Sequence, residues 1–280
     1  MKDEKKLKSQ LLETFKFTVD FLNKNNLTWW VAYGTAIGTV RHKGLIPWDD
    51  DIDIMMPRDD YNKLLLLRKE LEDTNYRIAS LDDDGYYCPY AKLYDNRTTV
   101  WEVKRFPFLI GVWVDIFPMD LSNGIQKFER ESVAKFSKKV NHFEKSIAAY
   151  TVSDFCSMFK EHHFKTVFDS FVSLICYRPF KKHYVARLKD FIAEIQKQTG
   201  DNYILYYKDS VVRSYPKSYF NKTLVMPFED FLVKIPAHYH EILTVEYGDY
   251  MTPPPIHKRN STHNQFYVSL SERLQISDIL

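Results

Sequence analysis

Residues 46–57 read IPWDDDIDIMMP: four aspartates, Asp49, Asp50, Asp51 and Asp53, set among large apolar residues with no Lys or Arg between them. Neighbouring carboxylates repel one another and are costly to desolvate. Such a run persists comfortably when it is solvated, protonated or bound to a cation. In a strand, residues two apart share a face. Asp51 and Asp53 therefore fall on one side of an expected strand 51–56, and Ile52 and Ile54 on the other, toward the core. A pair of carboxylates so placed suits Mg²⁺, which takes one or two carboxylates together with phosphate oxygens. Asp49, at the mouth of the strand, is a further ligand candidate, and Asp50 is expected to point away. A solvated acidic turn is the bland alternative, opposed by the flanking Trp48 and Met55. An EF-hand loop is excluded, because Ile54 stands where Gly is required and Asp60 where the closing Glu is required. The DxD of a metal-dependent glycosyltransferase fits Asp51 and Asp53 as well, and the pair alone leaves it open.

Two neighbours narrow the choice. Gly34-Thr35 ends a β-rich stretch (LTWWVAY, 27–33) and opens a short helix, a place where backbone N–H groups can cradle a phosphate. Downstream, Asp115 stands in the apolar run GVWVDIF. A lone buried carboxylate is expensive unless it is paired or near a metal, so Asp115 is a third carboxylate for the same centre. A hydrogen-bonded structural Asp is the competing account. The basic residues Arg41, Lys43, Lys92 and Arg97 flank these motifs and are candidates for phosphate contact, against the simpler reading of surface charge.

These groups need elements to hold them. Residues 5–25 place Leu7, Leu11, Phe15 and Leu22 at helical spacing. Strand, glycine turn, short helix, the acidic strand and a helix at 58–72 follow, with Asp59 and Asp60 in that helix's first turn. Strands are expected at 76–81, within 86–103 and at 110–120. Residues 125–200 turn helical, aromatic and basic. A hairpin at 224–236 and a helix at 237–250 precede a proline-rich segment, 251–263, that cannot be regular. The expected organisation is a core at 1–124, a helical region at 125–200, and a C-terminal segment at 201–280 packing back on the core. Within the helical region, residues 155–184 read as core helices of an acceptor-binding subdomain. An amphipathic surface resting on a membrane is the second reading. His162 and His163 are adjacent, so they make no helical metal pair.

Composition sets the bounds. With 280 residues and 45% apolar content the chain can bury a substantial core. A formal net charge of +2 is too balanced for nucleic acid to be the main partner. Three widely spaced cysteines form neither a zinc motif nor a disulfide framework, which points to a reducing compartment. The charged N-terminus does not resemble a signal peptide, and no apolar run reaches the roughly 18 residues of a membrane span.

The stretch YGTAIGTVRHKGLIPWDDDIDIMMPRDDY (33–61) resembles the LicD family of the nucleotidyltransferase superfamily, whose signature the fukutin-related proteins share. The likeness extends to AKLYDNRTT (91–99) and VDIFPMD (114–120), and resumes at MPFEDFLVKIP and YGDYMTPPP. It implies an α+β fold, with a nucleotidyltransferase-like mixed sheet flanked by helices and carrying the helical region as an insertion or appendage. It implies catalytic Asp51, Asp53 and Asp115, a metal (Mg²⁺ or Mn²⁺) on these and Asp49, and phosphate contacts at Gly34 and Thr35. The implied activity is transfer of phosphocholine from CDP-choline to a hydroxyl of a cell-surface glycan of the teichoic acid, lipopolysaccharide or capsule type, with CMP released. Transfer of glycerol- or ribitol-phosphate from a CDP donor, or nucleotidyl transfer to a sugar or small molecule, are the alternatives. A lipid-linked acceptor, a cytoplasmic location and peripheral contact with the inner face of the membrane are expected with it. Choline would need aromatic faces, for which Trp48, Trp101, Trp113 and Tyr90 are candidates. His263 and the proline-rich segment are candidates to close over the site.

Overall fold

A computed structural model describes residues 2–259 and 265–279. The first part of the chain runs α1 (Lys2–Lys24), β1 (Trp30–Val31), α2 (Tyr33–Ile37), β2 (Asp53–Pro57), α3 (Arg58–Leu66), β3 (Tyr76–Ala79), β4 (Ala91–Asp95), β5 (Thr99–Trp101) and β6 (Trp113–Ser122). Four helices follow: α4 (Gln126–Ile147), α5 (Val152–Lys160), α6 (Phe164–Val172) and α7 (Lys181–Ile195). The chain returns through β7 (Asn202–Leu205), β8 (Arg213–Pro216), β9 (Thr223–Phe228), β10 (Phe231–Pro236), α8 (Tyr239–Tyr247), β11 (Tyr267–Ser269) and α9 (Ile276–Ile279). This is the expected α+β class.

The main sheet has the order β1-β2-β6-β4-β3, extended by β7 on β6 and β8 on β7. Only β2 and β6 run parallel; the other pairs are antiparallel. The ten residues of β6 let it serve β4 with its first half and β7 with its last, so the returning chain completes the sheet. α1 lies against β4 and β6. Its apolar stripe is buried at Leu11, Phe15 and Leu22. Phe15 meets Phe228 and Phe231 of the β9–β10 hairpin edge-on at 5.3 and 5.4 Å, a favourable aromatic geometry.

Two sequence expectations change. The acidic strand begins at Asp53, not Asp51. Residues 49–52 belong to the turn before it, where Asp49 N–H donates to the Ile46 carbonyl at 2.9 Å. The reading of 155–184 as core helices fails for α5 and α6. α4 and α7 pack together through Val133, Phe136, Val140, Leu188 and Phe191, all buried. α5 buries no residue at all, and α6 buries only Ser170. No described helix is long and apolar enough to cross a membrane.

Candidate active site

β2, β6 and β4 lie side by side, and their register sets three residues in one row. Asp53 is paired with Asp115 across the parallel β2–β6 ladder, and Asp115 with Lys92 across the β6–β4 ladder. Paired positions on neighbouring strands share a face, so the row reads carboxylate, carboxylate, ammonium. Ile52 and Ile54, on either side of Asp53, are fully buried. The alternation argument therefore holds from Ile52 onward. The main chain ties the row down: Asp115 N–H donates to Ile52 carbonyl at 2.8 Å, and Ala32 N–H to Asp53 carbonyl at 3.0 Å.

The helix before the acidic turn is joined to it. Asp53 N–H donates to Thr35 Oγ1 at 2.9 Å, so the buried Thr35 hydroxyl fastens α2 to β2. A Cβ on Gly34 would come within 2.6 Å of Asp49 Oδ2, so glycine is what lets that carboxylate lie against α2. Tyr33 enters α2 with φ of 45°, a left-handed conformation unusual for a bulky residue. Its hydroxyl is buried without a hydrogen-bond partner among the described residues.

Lys92 is 1% exposed and lies 2.9 Å from Asp115 Oδ1 and 3.1 Å from Glu102 Oε2. Its ammonium also sits 4.1 Å from the centre of the Trp113 ring. Burial alone would lower the Lys92 pKa, but the Asp115 and Glu102 carboxylates outweigh it and hold the group charged. Trp113 Nε1 donates to Asp115 Oδ2 at 3.0 Å, and Tyr87 donates its phenol to Glu102. Burial pushes Asp115 up to about 6, with Lys92 pulling the other way. Asp53 is driven well above the usual carboxylate range by burial first, then by the charges of Asp51, Asp115 and Asp49, with Lys92 only partly offsetting them.

A cleft of about 240 Å³ opens over this row. Asp51, Asp53, Asp115 and Glu102 supply its acidic wall, and Tyr33, Tyr90, Phe117, Tyr207, Tyr247 and Arg213 the rest. Asp49 and Asp50 line a second groove of about 640 Å³, walled also by the start of α1 and residues 265–271. Carboxylate oxygens of Asp49, Asp50 and Asp51 all lie within 4.8 Å of one another. Asp50 thus joins the acidic group instead of pointing away, because strand alternation does not apply in a turn.

A divalent cation fits this donor set. The ligand atoms on offer are carboxylate oxygens, the type that hard cations take. The buried Asp53 carries a repulsion that nearby positive charge on the protein does not cancel.

The sequence candidates divide. Asp51, Asp53, Asp115 and Lys92 come together, with Asp49 alongside. Gly34 and Thr35 adjoin them as positioning residues. Arg97 is turned to other work: its guanidinium bonds Asp95 at 2.7 Å and Glu13 at 2.6 Å, neutralising a fully buried carboxylate at the far end of β4. Exposed Lys43 caps the turn after α2 with φ of 58°, and its carbonyl accepts from Glu229 N–H in the β9–β10 turn. Arg41 donates to the Tyr250 carbonyl and lies over Trp48, where Arg259 also packs. Of the aromatic candidates, Tyr90 lines the cleft and Trp113 braces Asp115 and Lys92. Trp101 is buried at the end of β5 with its Nε1 donating to the Phe106 carbonyl, and Trp48 faces the second groove. His263 lies outside the described residues. Sequence reasoning missed Tyr33, Glu102, Tyr207, Arg213 and Tyr247. Glu102 left a signal, as a charge directly after the apolar TVW of β5. Arg213 left none, since it reaches the cleft only through the β7–β8 return.

Residues 26–148 match the profile of the LicD/FKTN/FKRP nucleotidyltransferase domain. They are a LicD-family domain. That span includes α2, the acidic turn, β2, β4 and β6, and so every residue of the carboxylate row. The chain is 29% identical over 247 residues to the lipopolysaccharide cholinephosphotransferase LicD of Haemophilus influenzae, covering 83% of this chain and 85% of that protein. Shorter likenesses reach uncharacterized proteins of Rickettsia prowazekii, 38% identical over 69 residues, and Rickettsia typhi, 40% identical over 75 residues. Each of these covers about a quarter of both chains.

Proposed function

We propose that this LicD-family enzyme transfers phosphocholine from CDP-choline to a hydroxyl of a cell-surface glycan, releasing CMP. The observation that carries this reading is the in-register row Asp53–Asp115–Lys92 with Asp51 above it, set in a domain whose full-length relative is a lipopolysaccharide cholinephosphotransferase. The tyrosine-rich wall of the cleft favours choline over glycerol or ribitol, because a quaternary ammonium donates no hydrogen bond and is held by ring faces. Three free thiols among the described residues suit a cytoplasmic setting, where CDP donors would be met.

Asp51, Asp53 and Asp115, with Asp49 beside them, would hold Mg²⁺, which when bound neutralises the diphosphate and the oxygen that leaves. The protein's own groups do the rest. The acceptor hydroxyl forms the new O–P bond at the choline-bearing phosphorus. The P–O bond to CMP breaks and its electron pair departs with CMP. The hydroxyl proton passes to Asp115, whose carboxylate lines the cleft. Lys92 and Trp113 keep that carboxylate oriented. In-line displacement needs donor and acceptor on opposite sides of phosphorus, and both the cleft and the second groove are lined by residues of the acidic turn.

The test follows CMP release from CDP-choline with Mg²⁺ and a glycan acceptor, using the wild type, Asp51→Asn and Asp53→Asn. Near-normal turnover in either variant would sink the assignment. Thermal shift with CDP-choline, CDP-glycerol and CDP-ribitol separates the donors, since a ligand at 100 times its Kd stabilises by about 2.7 kcal/mol. Release of pyrophosphate from a nucleoside triphosphate would instead establish nucleotidyl transfer.

A further inference from the structure

Helix α6, with the π-helical turn Ser173–Tyr177 that continues it, is built inside out. Phe164, Phe168, Phe171 and Ile175 recur at the i, i+4, i+7 and i+11 spacing of one helical face. They are 59%, 66%, 57% and 55% exposed. The residues turned inward are small and polar: Ser170 and Ser173 are 1% and 2% exposed. Ser173 Oγ donates to the Lys145 carbonyl of α4 at 2.5 Å, which fixes the helix with its serines against the protein. Phe159 at the end of α5 is 52% exposed and meets Phe164 edge-on at 6.2 Å, extending the stripe across the α5–α6 turn. A contiguous apolar face of this kind on a soluble chain marks a surface that something else covers.

Charge says what covers it. Lys160, Lys165, Arg178 and Lys182 flank the stripe along the chain, are exposed, and form no ion pair among the described residues. Glu161 and Asp169 are the acids of the same stretch, and Glu161 lies 3.5 Å from His163. A stripe of Phe and Ile edged by Lys and Arg is the arrangement of helices that lie in a membrane interface. A second copy of the chain fits less well, because a two-fold contact would bring the basic rims together. We propose that α5 and α6 rest on an anionic lipid surface. Phe164, Phe168, Phe171 and Ile175 enter the acyl boundary, and the lysines and Arg178 meet the lipid phosphates. Lipid binding is independent of the reaction and is read without turnover.

The experiment floats the full chain with vesicles of phosphatidylcholine containing about a third phosphatidylglycerol, and with vesicles of phosphatidylcholine alone. Wild type is expected to bind the anionic vesicles at least about tenfold more tightly, and to lose that preference in high salt. The Phe164→Ser, Phe168→Ser, Phe171→Ser triple variant is expected to lose binding by about tenfold or more with an unchanged melting temperature. A Lys160→Glu, Lys165→Glu, Lys182→Glu variant leaves the inward serines untouched and is expected to lose the anionic preference. Failure of wild type to bind anionic vesicles, or equal binding by the triple-serine variant, overturns the proposal. So does a dimer seen by sedimentation that the triple-serine variant dissolves while wild type stays off vesicles.

Discussion

The carboxylate row and the α5–α6 surface break the same rule in opposite directions. At Asp53, Asp115 and Lys92 the protein buries charge; at Phe164, Phe168 and Phe171 it exposes large rings. Buried charge costs free energy unless it is paired, and exposed rings forgo what burial would give. In the row, part of the cost is answered inside the chain by Lys92, and the remaining repulsion at Asp53 is what the proposed cation would offset. On α6 nothing among the described residues answers it, and the buried inward places are filled by serines. Both departures are local, and both sit beside regular packing that obeys the rule, β1 and β2 in one case and α4 with α7 in the other. Exceptions so confined are what the two proposals rest on, a cation in one case and a lipid surface in the other.

The strongest way to break the comparison is at its charged side. Asp53→Asn is expected to lower CMP release about a thousandfold or more, above 4 kcal/mol of transition-state stabilisation. The same change removes a carboxylate that burial and its neighbours oppose, so the metal-free variant is expected to melt no lower than wild type. Turnover and a thermal melt in chelator read the two effects separately. A loss of both activity and stability would mean that Asp53 holds the fold together, and the row would cease to resemble a site awaiting a cation.

Lys92→Met tests the internal half of the balance. It removes the cation from the buried Asp115 and the partly buried Glu102, and is expected to cost about 3–5 kcal/mol by denaturant unfolding. Adding Glu102→Gln to Lys92→Met is expected to recover part of that loss, because one of the two carboxylates that faced the Lys92 ammonium is gone. Additive costs in the two variants would show that the pair is not coupled.

Phenylalanines then sharpen the apolar side. Phe143→Ala, in α4, removes a ring that is 2% exposed, and is expected to cost about 3–5 kcal/mol. Phe168→Ala, in α6, is expected to change stability by less than about 0.5 kcal/mol. A large loss at Phe168 would show that its ring packs in solution and would remove the reason to look for a covering partner.

How far these features were legible in the sequence follows the range of the interaction that makes them. Asp51, Asp53 and Asp115 stand out because charge inside an apolar run is a local anomaly, and Gly34-Thr35 because a glycine turn is local too. Strand alternation placed Ile52 and Ile54 in the core but failed at Asp50, since where a strand starts depends on its partner, here the β6 ladder that begins at Asp53. Lys92 and Arg97 look alike in the sequence, yet one faces Asp115 across a ladder and the other bonds Asp95. Only register distinguishes them. Arg213 and Tyr207 were invisible, because they reach the cleft from the far side of the helical region. In α6 the periodicity was plain and its direction was not: a stripe of Phe at helical spacing shows that a face exists, and the neighbours decide whether it points inward.

The smallest effect expected concerns how α5 is held at the edge of that exposed face. Thr151 and Asp154 form a reciprocal cap at the start of the helix: Asp154 N–H donates to Thr151 Oγ1 at 3.2 Å, and Thr151 N–H donates to the Asp154 carboxylate at 2.7 Å. Lys104 Nζ adds an ion pair at 2.6 Å. Partial burial pushes the Asp154 carboxyl up, but Lys104 and the Thr151 donors outweigh it and hold the group below its ordinary value. A carboxylate lowered in the folded state stabilises above its unfolded pKa, about 3.9, and that contribution disappears as pH falls through the folded value. Asp154→Ala is therefore expected to weaken α5 by about 1 kcal/mol near neutral pH, with no difference from wild type once the acid is protonated. Amide exchange within α5, corrected for intrinsic rates and compared between the two proteins at each pH, measures it. A difference that persisted into strong acid would mean that side-chain packing, and not the charged cap, anchors the helix, and α5 would then have to be counted with the packed helices α4 and α7 instead of with the exposed surface of α6.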